Sequence, residues 1–465
     1  MFGRVWAIHA RKRAGRRTER MSDTQGMAGT YHLVGVAGVG MSGVAQALCA
    51  AGRAVSGSDR CQESNQNREV LEKLAGGGVR LFPQDGTGVV AGAKRVVVST
   101  AIEEDNADLV AARARAIPVV HRAAMLAELM RGRRSIAVTG TSGKTTVTGM
   151  VGWVLEQLGA DPTVVNGGSV VNWTTSARIG NVRAGRSDLW VIEADESDRS
   201  LLQYEPDWAV ITNVSGDHFD VQEAERVFGQ FEERVRRGIV RPLAGLDAGR
   251  RFAPRLDRGG SSFTYRDVEF RVPLPGRHNA ENALQAVLLC EMLGYAAVDI
   301  ARALAGFRGI KRRLELVGTV RDITVIDDYA HNPAKIEAAW QTVKPYARRV
   351  LGVWRPHGFA PLAHMMESLA ELLPRLCTNE DELLLLPVYY AGGTAQRSVS
   401  AQDLADRLAG RGVRVSVVTS FEELDRRLTA SARPGDTILC MGARDPDLPL
   451  FARRLVARLE AAASV

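Results

Sequence analysis

One short segment, Gly140-Thr-Ser-Gly-Lys-Thr-Thr146, combines the residue types that bind nucleotide phosphates. The apolar run Ser135–Thr139 before it predicts a buried strand, and Val147–Gly159 after it has the spacing of a helix that ends at a glycine. In such a strand–turn–helix unit, backbone N–H groups and the positive end of the helix dipole face an anion. Lys144 would reach the outer phosphates of a nucleotide, and the hydroxyl of Thr145 would bind Mg²⁺. We therefore expect an NTP site whose phosphate-binding residues are Gly140, Thr141, Ser142, Gly143, Lys144, Thr145 and Thr146.

Acidic residues follow the next predicted strand, Asp188–Ile192, in the run Glu193-Ala-Asp-Glu-Ser-Asp198. Carboxylates at this edge of an NTP-binding sheet are the usual Mg²⁺ ligands, although such a run can also be a solvated acidic turn. We favour Glu193 because it follows its strand directly. A further strand, Trp208–Thr212, leads to His218, which suits a metal ligand or a phosphate contact, with a structural histidine as the alternative. The expected metal-binding residues are Thr145, Glu193 and His218.

A second glycine-rich turn lies near the start of the chain. A predicted strand, Tyr31–Val36, leads into Gly38-Val-Gly-Met-Ser-Gly43 and a helical run that continues to Gly52. Another strand, Ala54–Ser56, then precedes an acid about twenty residues beyond the glycines, where such an acid meets a ribose. The pattern fits both a dinucleotide and a UDP-sugar and does not separate them. The candidate ligand-binding residues are Gly38, Val39, Gly40, Met41, Ser42 and Asp59.

The rest of the chain alternates strands and helices, which is typical of doubly wound α/β domains. Pro275–Asn279 opens a helix over Ala280–Leu293, where the polar residues either cap the helix or present an amide to a nucleobase. Asp327–Pro333 and Trp354–Gly358 place polar residues at two strand ends, where open α/β sheets bind ligands. Further strands are predicted at Arg95–Thr100, Thr324–Ile326, Arg349–Val353, Glu382–Pro387, Val413–Val418 and Asp436–Cys440.

Charge is unevenly distributed along the 465 residues. The formal net charge is +7, but residues 1–26 carry seven basic and two acidic side chains, so this tail alone accounts for +5. We therefore expect no nucleic-acid partner. No apolar run reaches the roughly eighteen residues that cross a bilayer, so we expect no membrane insertion. Five scattered cysteines without a C-x-x-C pair indicate a reducing, cytoplasmic setting.

Taken as an ordered set, these motifs resemble the Mur ligase family over nearly the whole chain after Tyr31. Gly35–Gly43, Val96–Asn106 and Arg122–Arg131 are similar to segments of its first domain, the first of them to its uridine-diphosphate loop. GTSGKTT resembles the family's phosphate loop, and EADESD with NVSGDHFD resembles its metal and γ-phosphate region. PGRHNAENA resembles its adenine-contacting segment. IKRRLE and DDYAHNP resemble the start of its third domain. The resemblance implies an α/β fold with a basic, disordered tail (1–29), a Rossmann-like UDP-sugar-binding domain (30–133), a central P-loop ATP-binding domain (134–308) and a C-terminal doubly wound amino-acid-binding domain (309–465).

The resemblance also implies a reaction. ATP would phosphorylate the carboxylate of UDP-N-acetylmuramate, and an amino acid, with L-alanine favoured, would attack the acyl phosphate to give an amide, ADP and phosphate in peptidoglycan synthesis. By motif position, Thr145 and Glu193 would hold one Mg²⁺ and His218 a second. The expected catalytic residues are Lys144, Glu193, His218 and His331, with His331 near the amino acid, and the expected ATP contacts include Asn279, Arg313 and Asp328. A monomer or a homodimer would both fit.

Three departures from the family pattern leave the acceptor amino acid open. Ser142 and Asn332 stand where alanine-adding members usually have histidine. The segment Arg355–Leu362 lacks the arginines expected to handle a substrate carboxylate or phosphate, and Arg355 is a candidate substitute. The nearest alternative keeps the chemistry with another amino acid or a recycled peptide as acceptor. Alternatives of other classes are a P-loop NTPase switch or kinase, an NAD-dependent dehydrogenase, and a non-catalytic UDP-sugar-binding relative.

Overall fold

A computed structural model of the chain describes residues 29–62, 67–215, 220–243, 252–390 and 397–461. Within these ranges the chain forms three mainly parallel sheets and one small antiparallel sheet. The predicted α/β fold with three domains is confirmed, and the ends of the predicted strands shift by at most two residues. No helix in the described ranges is both long and apolar enough to cross a membrane. Apart from Gly29, the predicted basic tail lies outside the described residues, as does His218.

The first sheet is built from five short strands. Its strands are β1 (Tyr31–Val34), β2 (Val55–Ser58), β3 (Arg80–Phe82), β4 (Arg95–Val98) and β5 (Val119–His121), and its helices are α1 (Val39–Ala50), α2 (Arg68–Gly76), α3 (Ala107–Ala114) and α4 (Arg122–Met130). All pairs are parallel, in the order β3-β2-β1-β4-β5. Leu33 and Val34 pack into different apolar clusters because successive side chains point to opposite faces, so both faces are covered.

The central sheet carries the predicted phosphate loop. Its strands are β6 (Arg134–Thr139), β7 (Thr163–Val165), β8 (Val182–Arg183), β9 (Leu189–Glu193), β10 (Trp208–Ile211) and β11 (Gly238–Val240), and its helices include α5 (Lys144–Gln157) and α6 (Val221–Glu232). The order is β11-β10-β6-β9-β7-β8, with only β8 antiparallel among these strands. One apolar cluster runs from Leu33 of the first sheet to Ala137 and Phe231 of the central domain, so the two domains share part of their core.

A small antiparallel sheet follows the central sheet and was not predicted. Its strands are β12 (Arg255–Asp257), β13 (Gly260–Tyr265) and β14 (Val268–Val272), followed by the helices α7 (Arg277–Met292) and α8 (Ala297–Leu304). The turn between β13 and β14 is Arg266-Asp267, and both residues have positive φ. Such a hairpin turn usually contains glycine or asparagine, so the sequence lacked its usual signal.

The third sheet has apolar clusters on both faces. Its strands are β15 (Glu315–Val320), β16 (Ile323–Asp328), β17 (Arg349–Trp354), β18 (Glu382–Leu385), β19 (Val415–Val417) and β20 (Asp436–Met441), and its helices are α9 (Pro333–Val343), α10 (Phe359–Leu376), α11 (Ala401–Ala409), α12 (Phe421–Ser431) and α13 (Asp447–Ala461). The order is β15-β16-β20-β17-β18-β19, and the unpredicted edge strand β15 is antiparallel to β16. Val350 and Leu351 of β17 pack into different clusters, which confirms the doubly wound arrangement.

The connection into the third domain is attached to the central domain. Ile310 is buried and pairs with Val170, and the N–H of Lys311 donates to the carbonyl of Ser169 at 2.8 Å. After this point Arg312 and Leu314 both have positive φ. Residues 311–314 are therefore the segment at which the chain leaves the central domain.

Candidate active site

The phosphate loop fits closely against neighbouring elements. Gly140 has φ 126° and Gly143 has φ 85°, conformations that favour glycine. A Cβ on Gly140 would collide with the hydroxyl of Thr212, and one on Gly143 would lie 2.5 Å from Oδ1 of Asn282. Helix α5 begins at Lys144 rather than at Val147 as predicted, so the lysine belongs to its first turn. The glycines thus bring the loop backbone close to β10 and α7, and the N-terminus of α5 faces the loop.

Side chains from the end of β10 hold the loop in place. Asn213 accepts a hydrogen bond from the N–H of Ser142 at 3.0 Å and donates to its carbonyl at 3.1 Å. The hydroxyl of Thr212 donates to the same carbonyl at 2.5 Å. Thr141 exchanges two hydrogen bonds with the backbone of Ser215, at 3.0 and 3.1 Å. The sequence did not assign a role to Thr212 or Asn213, although Thr212 ends a predicted strand and Asn213 directly follows it.

Lys144 is paired with a carboxylate that the sequence did not single out. Its Nζ lies 2.6 Å from Oε2 of Glu196 and donates to the carbonyl of Gly140 at 2.8 Å. Burial raises the pKa of the Glu196 carboxyl, and the charge of Lys144 lowers it in part. A phosphate bound in the loop would therefore compete with Glu196 for the lysine.

Thr145 and Glu193 lie together at the start of α5 and the end of β9. The Thr145 hydroxyl donates to Oε1 of Glu193 at 3.1 Å, and the N–H of Gly167 donates to Oε2 at 2.7 Å. Burial raises the pKa of Glu193. A hydroxyl beside a carboxylate is an oxygen donor set that fits Mg²⁺. Within the described ranges no three His, Cys, Asp or Glu side chains form a metal-binding group.

A cavity of about 560 Å³ opens beside the phosphate loop, between the central and third domains. All three residues expected to contact ATP line it, namely Asn279, Arg313 and Asp328. The Asn279 side chain donates to the carbonyl of Pro275 at 2.8 Å. Both Asp328 oxygens accept backbone N–H groups, from Leu314 and Ala330, at 2.7 Å each. Apolar residues complete the wall and could cover a base, including Leu243, Phe252, Leu314 and Ala338.

A second cavity, of about 870 Å³, lies over the first glycine turn. Gly38, Val39, Gly40, Met41 and Asp59 line it as predicted. The Asp59 carboxylate accepts the N–H groups of Ala37 and Cys61, at 2.9 and 3.0 Å, so it fastens the turn to the end of β2.

Ser42 faces away from this second cavity. Its hydroxyl donates to the carbonyl of Val39 at 3.0 Å and accepts the Asn181 side chain at 3.1 Å. Asn181 belongs to the central domain, so Ser42 joins two domains.

The two cavities meet at Glu193, which lines both. Arg122 joins the same region from the first domain, because it lies against Gly40 and forms ion pairs with Asp195 and Asp198 at 3.5 and 3.2 Å. The acidic run after β9 thus lies between a phosphate-binding loop and a second glycine turn. A reacting group could pass between ligands in these cavities without crossing the protein.

Comparison with protein families matches each of the three sheets in turn. The description "Mur ligase family, catalytic domain" matches residues 30–134, "Mur ligase middle domain" matches 138–232, and "Mur ligase, glutamate ligase domain" matches 312–444. The chain is also 36% identical over 460 residues to the UDP-N-acetylmuramate–L-alanine ligase of Rhizobium johnstonii, covering 89% of this chain and 94% of the relative. The chain belongs to the Mur ligase family.

Solved structures agree with this membership. The UDP-N-acetylmuramate-alanine ligase of Thermotoga maritima superimposes with a TM-score of 0.76 at 27% identity, over 93% of this chain and 99% of that one. A murein peptide ligase of Psychrobacter arcticus shares the fold, with a TM-score of 0.63 at 22% identity over 92% and 98%. The exact domain boundaries stay predictions.

In this Mur ligase the third domain brings His331 beside His357. Their ring centroids lie 5.1 Å apart, and Nδ1 of His331 bonds the carbonyl of Tyr329 at 2.9 Å. Burial lowers the pKa of His331 to about 3 and that of His357 to about 4, so both rings are neutral near neutral pH. Neither residue lines the two cavities described above.

Arg355 is a poor substitute for the missing arginines. Its Nη1 lies 2.6 Å from Oδ2 of the buried Asp445, and its guanidinium stacks on Tyr389 and Phe421. The charge is therefore already neutralised within the third domain.

Proposed function

We propose that this Mur ligase joins L-alanine to the carboxylate of UDP-N-acetylmuramate at the expense of ATP, releasing ADP and phosphate in peptidoglycan synthesis. The observation that carries the proposal is the junction of two cavities at Glu193, one beside a phosphate loop and the other over a glycine turn. The similarity to curated L-alanine ligases over 89% of the chain supports the choice of substrates. We further expect the reaction in the cytoplasm, with Mg²⁺, and without nucleic acid or membrane insertion.

ATP would lie in the cavity of about 560 Å³ with its phosphates on residues 140–146. Lys144 and the N-terminus of α5 would stabilise negative charge on the transferred phosphoryl group. Thr145 and Glu193, with His218 as the predicted ligand of a second ion, would hold Mg²⁺, which neutralises charge that develops on the phosphates. The sugar nucleotide would lie over Gly38–Met41 in the second cavity, which also contains Glu193, and its carboxylate would face the γ-phosphate.

The amino acid would then attack the acyl phosphate from the third-domain side. His331 follows β16, at the carboxyl edge of the third sheet. Its pKa of about 3 makes it too weak a base to take a proton from an ammonium group efficiently. We therefore keep His331 near the amino acid, as the resemblance implies, without the role of its base. Enclosure between the three domains would align the amine and exclude water from the acyl phosphate.

Phosphate release from purified protein tests the proposal. Mg-ATP and UDP-N-acetylmuramate are combined in separate reactions with L-alanine, glycine, L-serine or a murein tripeptide. We expect release that requires both the sugar nucleotide and L-alanine. Release with another amine would keep the ligase chemistry and change the acceptor amino acid. Residues 358–362 contain no arginine, which is the departure from the family pattern that leaves the acceptor open. Release that needs no amine would contradict the proposal and favour an NTPase or kinase.

A further inference from the structure

An amino acid brings its own α-carboxylate into the closing site, and an enclosed carboxylate needs a cationic partner. The turn after β17 does not supply one. Helix α10 starts with Phe359, Ala360, Pro361 and Leu362, which carry no charge. Arg355 before it is held by Asp445. Another cation of the third domain must therefore meet the substrate carboxylate.

The neighbouring turn, residues 442–446 after β20, occupies the same edge of the sheet. Strand β20 lies between β16 and β17, with Met441 level with Trp354. The N–H of Gly442 donates to the carbonyl of Asp328 at 3.1 Å, which fixes the start of this turn. Ligands of open α/β sheets bind at this carboxyl edge. The turn after β20 can therefore supply a group that the turn after β17 lacks.

Arg444 is the basic residue of that turn, and it is exposed. With Tyr389 it lines the cavity of about 870 Å³, whose other lining residues include Gly40 of the first domain and Glu193 of the central domain. No ion pair or hydrogen bond to its side chain is found among the residues that the structure describes. By contrast, Arg122 in the same cavity is paired with Asp195 and Asp198. Arg444 thus offers, on the third-domain wall, a guanidinium that no carboxylate of the described residues neutralises.

We propose that Arg444 binds the α-carboxylate of the incoming amino acid and so makes the enzyme select amino acids over simple amines. The inference rests on the proposed ligase function. A guanidinium suits this task because it can donate two parallel hydrogen bonds to one carboxylate. The contact would fix the amine relative to the acyl phosphate and to Glu193, which lines the same cavity.

Steady-state kinetics of Arg444→Ala and Arg444→Lys test the assignment. For Arg444→Ala we expect the KM for L-alanine to rise roughly 10- to 100-fold, as for loss of a hydrogen bond between charged groups. The KM values for ATP and UDP-N-acetylmuramate should stay unchanged. The KM of Arg444→Lys for L-alanine should lie between those of the parent and of Arg444→Ala, because lysine keeps the charge but not the paired donors. The matched control is Arg433→Ala, since Arg433 is also exposed but precedes β20 at the opposite end of that strand.

L-Alaninamide, which lacks the carboxylate, makes the test specific. The parent enzyme should prefer L-alanine strongly, and Arg444→Ala should lose most of that preference. An unchanged KM for L-alanine and an unchanged preference in Arg444→Ala would overturn the assignment while leaving the ligase function intact. A parent enzyme that shows no amine-dependent phosphate release would instead refute the proposed function, and the assignment with it.

Discussion

Two glycine turns of this chain share the same order of strand, glycines and helix. In each, a parallel strand ends in glycines and a helix starts directly after them, at Val39 in the first domain and at Lys144 in the central domain. In each, a side chain from the end of a neighbouring strand accepts a loop N–H. Asp59 does so for Ala37, and Asn213 does so for Ser142.

The turns differ in the side chains of the first helical turn. The phosphate loop presents Lys144 and Thr145 beside buried carboxylates, whereas the first turn presents Val39 and Gly40 and no charge. Both helix starts attract an anion. Only the central one adds groups that can stabilise a transferred phosphoryl group or hold a metal. In both turns the backbone and helix start can bind an anion, whereas the first two helical residues determine whether the turn can also support phosphoryl transfer.

Removing Lys144 tests this division most directly. For Lys144→Ala we expect kcat for ligation to fall roughly 10²- to 10³-fold or more, the range for losing one charge-stabilising donor from an active site. Binding of UDP-N-acetylmuramate, measured by calorimetry, should be nearly unchanged, because Lys144 does not line the second cavity. Turnover at the parent rate would mean that the phosphate loop is assigned wrongly.

A crossed pair of variants tests the two supporting side chains. Asp59→Ala should raise the KM for UDP-N-acetylmuramate roughly tenfold and leave the KM for ATP unchanged, because a buried N–H without a partner costs about 1–3 kcal/mol. Asn213→Ala should do the reverse, since it releases Ser142 of the phosphate loop. Each variant is the control for the other. Equal effects of either variant on both substrates would show that the two turns are not independent binding sites.

A smaller effect is expected at Glu196, which competes with phosphate for Lys144. Glu196→Gln removes the charge and keeps the shape, so we expect the KM for Mg-ATP to fall roughly threefold to tenfold, as for release of an ion pair worth about 1 kcal/mol. Initial rates at varied ATP concentration measure it. A KM that rises instead would show that Glu196 contributes to nucleotide binding.

Most of the fold and the position of the site could be predicted from the sequence, because apolar runs and glycine turns are patterns of neighbouring residues. The hairpin turns Arg266-Asp267 and Arg321-Asp322 escaped prediction, because both pairs have positive φ without glycine or asparagine. The partner of Lys144 also escaped it. Four carboxylates in six residues look alike in sequence, and only the path of the chain after β9 brings Glu196 to the lysine.

Long-range contacts explain the remaining differences. Ser42 belongs to the predicted glycine motif, but a bond to Asn181 of another domain turns it from the cavity. Arg355 was a candidate for the substrate carboxylate, but Asp445 reaches it from a distant turn. No local sequence pattern indicates that Asn181 or Asp445 is the partner. The role of His218 stays a prediction.

The attachment of Ile310 to the central domain has a consequence for the timing of turnover. A movement of the third domain relative to the nucleotide would be centred on residues 311–314, where Leu314 has φ 46° and its N–H donates to Asp328. Asp328 also lines the nucleotide cavity. We expect this one carboxylate to couple nucleotide release to domain opening, so that new substrate enters after ADP has left.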